Sequence, residues 1–211
     1  MKKNILLFGA AILLASCTTP QEPGANHNPD SSPVTEHTEE ILLSGDAFEA
    51  QFAKGTQYGS SGNQANNAEK MTTFIKGQDS ASLINQITYE GSLNTLNDNE
   101  VDVDRYFVFG SQTGSGSLTF TTSKKIYKVD AYVSTYVNHY DSGKGYSGTN
   151  YDTEAKFLID GTDKNLTVTT SGDKAVFYSC VSEYEEGTNT FKFENEGGRV
   201  MIQKFVLTYR D

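Results

Sequence analysis

The chain of 211 residues has no tryptophan, two cysteines and three histidines. Each shortage removes a kind of chemistry. Nucleophilic catalysis needs a base to activate serine or cysteine. His27 and His37 fall in a polar N-terminal stretch that nothing holds in geometry, so only His139 could serve a site. No G-x-S-x-G elbow, H-E-x-x-H or C-x-x-C occurs. A metal site built from histidine and cysteine is therefore not expected. The missing tryptophan removes the strongest stacking residue for a sugar ring. Basic residues are also short, at 17 against 27 acidic ones. Such a surface repels nucleic acid and anionic lipid headgroups, so neither is an expected partner. The one long apolar run, 5–15, rises only about 15 Å as a helix, roughly half of a bilayer core.

That run follows Met1-Lys2-Lys3, which makes a short basic segment before an apolar one, the pattern of a secretory signal peptide. It ends Leu13-Leu14-Ala15-Ser16-Cys17. This resembles the lipobox of bacterial lipoproteins: an aliphatic residue, two small residues, then cysteine. The resemblance implies that residues 1–16 are removed and that the Cys17 thiol carries a diacylglycerol. Each buried methylene contributes about 0.8 kcal/mol, so several acyl chains anchor where one does not. Lys2 and Lys3 would leave with the leader, so the mature charge would be 15 − 27 = −12. Attachment would come from lipid, on the extracytoplasmic face of an outer membrane or of a Gram-positive cell. Cys180 would then lack a disulfide partner, and its apolar neighbours mark it as a buried small hydrophobe.

Residues 18–40 are mostly Pro, Asn, Ser, Thr and Glu, too polar to bury surface against their ordering entropy. With Cys17 they read as a disordered linker, 17–40, ahead of a folded domain at 41–211. From Ile41 onward the texture is all-β, with Gly and Asn/Asp clusters between aromatic and β-branched runs. Strands are expected at 71–76, 84–90, 105–110, 116–122, 126–137, 155–160, 165–170, 175–181, 190–194 and 199–209. The last carries Val200 and Ile202 on one parity and Phe205 and Leu207 on the other, which predicts a β-bulge near Gln203-Lys204. Residues 160–164 read as a hairpin turn and 183–187 as a solvated hairpin tip. Weak helical content appears only at 66–74, where a strand start is an equal alternative.

Phe107-Val108-Phe109-Gly110-Ser111, Gly116-Ser117-Leu118-Thr119-Phe120-Thr121, residues 126–133 and the closing run 198–209 resemble galactose-binding-like jelly-roll modules. The resemblance covers about residues 70–211. It implies an antiparallel β-sandwich of the kind that binds glycans or packs against a neighbour, and fold alone does not choose between these.

Two surface features carry chemistry. Asp98, Glu100, Asp102 and Asp104 share one parity. They read as a solvated edge, as a structural calcium site or as a hydrolytic carboxylate pair. No other cofactor is called for. The second feature is a tyrosine-rich loop: Tyr132, Tyr136, Tyr140, Tyr146 and Tyr151, interleaved with Asn138, His139, Asp141, Ser142, Lys144 and Asn150. Tyr132 and Tyr136 fall on the non-core parity of their strand. Tyrosine offers an apolar face and a hydroxyl, so it can hold a sugar ring, or it can be an ordinary outer-face residue. The expectation is a non-catalytic, lipid-anchored sandwich that binds a glycan. A docking lipoprotein for an envelope protein and, behind it, a polysaccharide hydrolase are the alternatives.

Overall fold

The computed structural model describes residues 34–52, 64–91, 93–95, 106–110, 114–141, 147–168 and 175–211. Cys17 and residues 98–104 lie outside them. The first elements are strand β1 (Glu36–Leu42) and helices α1 (Gly45–Gln51) and α2 (Gln64–Lys76). Then come β2 (Ile84–Gly91), β3 (Leu93–Thr95), β4 (Phe107–Phe109) and β5 (Gly116–Thr135). After these run β6 (Val137–Asp141), β7 (Ser147–Tyr151), β8 (Lys156–Ile159) and β9 (Thr162–Asp163). The chain closes with β10 (Tyr178–Glu196) and β11 (Val200–Arg210).

All strand pairs are antiparallel. Two strands organise the rest. β5 spans 20 residues and β10 spans 19, and they pair with each other along both their halves. The first half of β5 also takes β2, and its second half takes β11. β8 joins the last residues of β10, and β1 and β4 join β11. The sheet turns over on itself, and its two halves face each other across one core, as in a β-sandwich. Phe120 on β5 stacks on its cross-strand neighbour Phe191, with centroids 4.8 Å apart. Across the core, Phe205 of β11 meets Phe120 at 5.2 Å and Phe193 at 5.4 Å. With no tryptophan available, phenylalanine fills the largest buried positions.

A β-strand sends alternate side chains to opposite faces, so an uncorrected long strand cannot follow a sheet that bends. β5 buries Leu118, Phe120 and Ile126, then Val129, Ala131 and Val133. The parity changes at Tyr127, the extra residue between the Ile126–Tyr209 and Lys128–Thr208 pairs. β10 makes the matching change: Tyr184 to Gly187 stand opposite Tyr127 alone. Gly187 adopts φ 67°, and a Cβ there would fall 3.0 Å from the Tyr127 ring. The expected hairpin tip at 183–187 is therefore a bend within one strand. In the same way, 116–122 and 126–137 belong largely to a single strand.

The bulge expected near Gln203-Lys204 is present: Ile202 pairs with Val133 and Lys204 with Tyr132, leaving Gln203 unpaired in the register. Val200, Ile202, Phe205 and Leu207 all reach the core. Asp160-Gly161 forms a two-residue hairpin turn with both residues at positive φ, as the right-handed strand twist favours. The strand it leads into is short, however, and residues 165–168 are not strand. Residues 71–76, expected as a strand, are helical. Met71, Phe74 and Ile75 sit three and four residues apart on one face, Met71 and Ile75 are buried, and Gly77 follows the last turn. α1 and α2 cap the core with Phe48, Phe52 and Phe74, whose rings lie 4.7 to 5.6 Å apart.

The domain begins before Ile41. β1 pairs with β11 from Glu36–Arg210 to Leu42–Lys204, so residues 36–40 are strand rather than linker. The described residues fall within one unit, Val34–Asp211. His37, expected to be loose, stacks on Tyr209 at 5.2 Å and places Nε2 3.1 Å from Asp211 Oδ2. Among the described residues, no helix is long and apolar enough to cross a membrane.

Phe193 touches Phe120, Phe157, Phe191 and Phe205. Phe193→Ala is expected to lower stability by about 3–5 kcal/mol. Urea unfolding checks this, and a loss below about 1 kcal/mol would refute the shared core.

Candidate functional site

Of the expected tyrosine loop, the structure describes the side chains of Tyr132 and Tyr136. Residues on either side of 142–146 form the β6–β7 hairpin, with His139 opposite Thr149, Tyr140 opposite Gly148 and Tyr151 opposite Val137. His139 is thus in a strand rather than a polar loop. The structure places the backbones of Tyr140 and Tyr151 only, and Tyr146 lies outside the described residues. Tyr136 keeps the expected non-core parity but is not exposed there. It is 3% exposed and belongs to a small second core with Val108, Val137 and Met201. The Arg199 guanidinium lies 3.6 Å from its ring centroid and is itself held by Asp152, with Nε to Oδ2 at 2.8 Å and Nη2 to Oδ1 at 3.0 Å. Met201 pairs with Ser134 and Val108, so this cluster covers the face opposite Val133, Ile202 and Phe107, and Tyr136 is buried there without a change of parity. That ring is closed to a ligand.

Tyr132 behaves as its parity requires. It stands half-buried on the outer face of the layer formed by β1, β11, β5 and β10. Cross-strand register sets the rest of that face. One row runs Leu42, Lys204, Tyr132, Ser179; the next runs Glu40, Val206, Asp130, Val181. A third runs Thr38, Thr208, Lys128, Glu183, and Glu36 faces Arg210 beyond it. None of these side chains is buried, while the alternate positions Ile41, Phe205, Leu207, Val129, Ala131 and Cys180 are.

The polar side chains are tied across the strands. Lys204 Nζ lies 4.7 Å from the Tyr132 centroid and 2.6 Å from Glu40 Oε2. The Glu40 hydrogen bond raises the Lys204 pKa against the opposing effect of desolvation. Arg210 lies over Tyr127 at 4.2 Å, and its Nε and Nη2 donate to Glu36 Oε1 at 2.9 and 2.8 Å. Ser179 Oγ donates to Asp130 Oδ1 at 2.6 Å.

Where β5 and β10 bend, the face opens into a groove of about 650 Å³. Tyr127, Tyr184, Lys128 and Arg210 line it together with Glu36, Glu183 and Glu185. The Tyr184 hydroxyl donates to Asp160 Oδ2 at 2.6 Å. Burial, then this bond and the Asp160 charge, hold that phenol protonated far above its usual range. The groove thus presents two aromatic side chains, hydroxyls and both signs of charge, a set suited to binding polyhydroxylated molecules. The sequence pattern marked Tyr132 but missed Tyr127 and Tyr184. Their signal was a parity change within β5 and β10, which needs both partners of the bulge to be recognised.

Among the described residues, no group of three or more His, Cys, Asp or Glu side chains could hold a metal ion. Cys180 is 3% exposed. No family model matches the chain, and no curated protein and no solved structure does.

Burial, followed by the nearby Asp130 charge, pushes the Cys180 thiol up to about 12 from 9.0. In a Cys17→Ser background, a maleimide is therefore expected to leave native Cys180 unlabelled at pH 8 and to label it in urea. The linked stability is fully present below about pH 9 and is lost as pH rises toward about 12, because only the unfolded thiol ionises in that window. Cys180→Ala should remove that part of the alkaline decline. Rapid labelling of the native protein would contradict the burial.

Proposed function

We propose that this chain is a bacterial envelope lipoprotein, tethered by lipid on Cys17, whose β-sandwich of jelly-roll type binds a glycan without catalysis. The tether runs to about Thr35 rather than Glu40, since β1 starts at Glu36. The observation that carries the reading is the outer face of β1, β11, β5 and β10, with its groove beside Tyr127 and Tyr184. A rigid sheet holds its side chains in place before any ligand arrives, which lowers the ordering cost of binding. The face is rich in donors and acceptors, with the apolar Leu42, Val206 and Val181 among them. No cofactor is part of the reading.

The second reading, a lipoprotein that docks an envelope protein, is favoured by Val176, Tyr178 and Val181, which are 48%, 37% and 37% exposed. Exposed apolar side chains near a strand end are more use to a protein partner than to a sugar.

Two measurements test these readings. Labelling cells with a fatty-acid analogue should mark the wild-type chain and leave Cys17→Ser unmarked, with the protein released from the membrane fraction. Labelling of the Cys17→Ser chain would end the lipid assignment. On a glycan array, binding should fall at least tenfold with Tyr132→Ala and be unchanged by Val176→Ser. Absence of glycan binding, with a recurrent cross-linked protein lost on Val176→Ser, would establish the second reading instead.

A further inference from the structure

Tyr132 and Tyr127 mark two ends of the polar face on the same strand, about 15 Å apart at the usual rise per residue. The same arrangement stands at both places. A β5 tyrosine carries a β11 cation over its ring, and a β1 glutamate holds that cation. Tyr132, Lys204 and Glu40 form one set, and Tyr127, Arg210 and Glu36 form the other. The long basic side chains therefore lie across the sheet and are neutralised within it. Between the two sets the face carries Thr38, Thr208, Lys128 and Asp130.

Two consequences follow for a ligand. Contact points spread over this length cannot all be met by one sugar ring. Charge also discriminates. With Lys204 and Arg210 each matched to a glutamate, Asp130, Glu183 and Glu185 face Lys128 alone among the described residues of this face. The remaining field is negative, and a chain of carboxylates laid on it meets like charges.

We propose that this face binds an extended, uncharged polysaccharide chain running along β5 from Tyr132 to Tyr127, and that it rejects polyanionic chains. The proposal rests on the glycan-binding reading and specifies its substrate class. It distinguishes a site for the interior of a polymer from a pocket for a terminal sugar.

The test uses the full chain purified in detergent and calorimetric titration. The probes are neutral hexamers of glucose, mannose and N-acetylglucosamine, their monosaccharides, and a galacturonic acid hexamer. The best neutral hexamer should bind at least tenfold tighter than its monosaccharide. The galacturonate should bind at least tenfold more weakly than that hexamer at low salt, and the gap should narrow in high salt as the field is screened. Glu183→Gln with Glu185→Gln should narrow it as well. A monosaccharide that binds as tightly as its hexamer would overturn the extended site and leave the glycan reading standing. A preference for galacturonate would overturn the charge assignment. Unchanged hexamer binding in Tyr132→Ala, shown to be folded by its thermal transition, would place the site elsewhere and overturn the proposal. Failure of every sugar to bind would remove the glycan reading and the proposal with it.

Discussion

A strand places alternate side chains on opposite faces, and this domain asks two strands of about twenty residues to keep one face on a single core around a bend. Everything else depends on how that parity is repaired. Tyr127 is the extra residue of β5, Tyr184 to Gly187 are the matching excess of β10, and Gln203 does the same for β11. Without these insertions Leu118 and Val129 could not both point inward, and the ring contacts between Phe120, Phe193 and Phe205 would be lost. Gly187 suits the bend, because its φ is positive and a Cβ there would lie 3.0 Å from both Tyr127 and Lys125.

The same repair shapes the surface. Residues inserted to keep the core in phase splay the outer face, and the groove lies where they do so. Core packing and the candidate site are therefore consequences of one geometric event. The polar face next to it is ordered by its own lateral contacts. Exposed ion pairs such as Arg210–Glu36 contribute little to stability, typically below about 1 kcal/mol. Their effect here is to fix side-chain direction, which matters more to a ligand than to folding.

Much of this was legible in the sequence. The alternation of Val129, Ala131 and Val133 against Asp130 and Tyr132 identified a half-buried strand. The parity break after Ile202 located a bulge, and Asp160-Gly161 located a turn. What was not legible shares a physical cause. Glu183 to Gly187 are largely polar and contain a glycine, so locally they look like a turn; only the pairing of Glu183 with Lys128 and Thr188 with Ile126 on either side makes them a bend in a strand. Residues 71–76 are short and apolar enough for either period, and packing of Met71 and Ile75 against the core decides for helix. Residues 36–40 are charged like a linker, and their partner lies at the far end of the chain. Tyr136 follows the strand parity to the outer face, but Val108, Val137 and Met201 cover that face there and Arg199 lies over the ring. The candidate face was half visible, through Tyr132, because its other members become neighbours only through register.

β1 pairs with β11, so the first residues of the domain are sealed by the last. A chain delivered N-terminus first, from a ribosome or through a translocation pore, holds β1 without a partner until Val200 to Arg210 arrive. The β1 edge of the sheet closes only once β11 is delivered, across a loop of more than 150 residues. Such an order keeps a partly delivered chain extended and threadable. It also means that a chain delivered only as far as β10 carries an open strand edge, which favours its removal or aggregation.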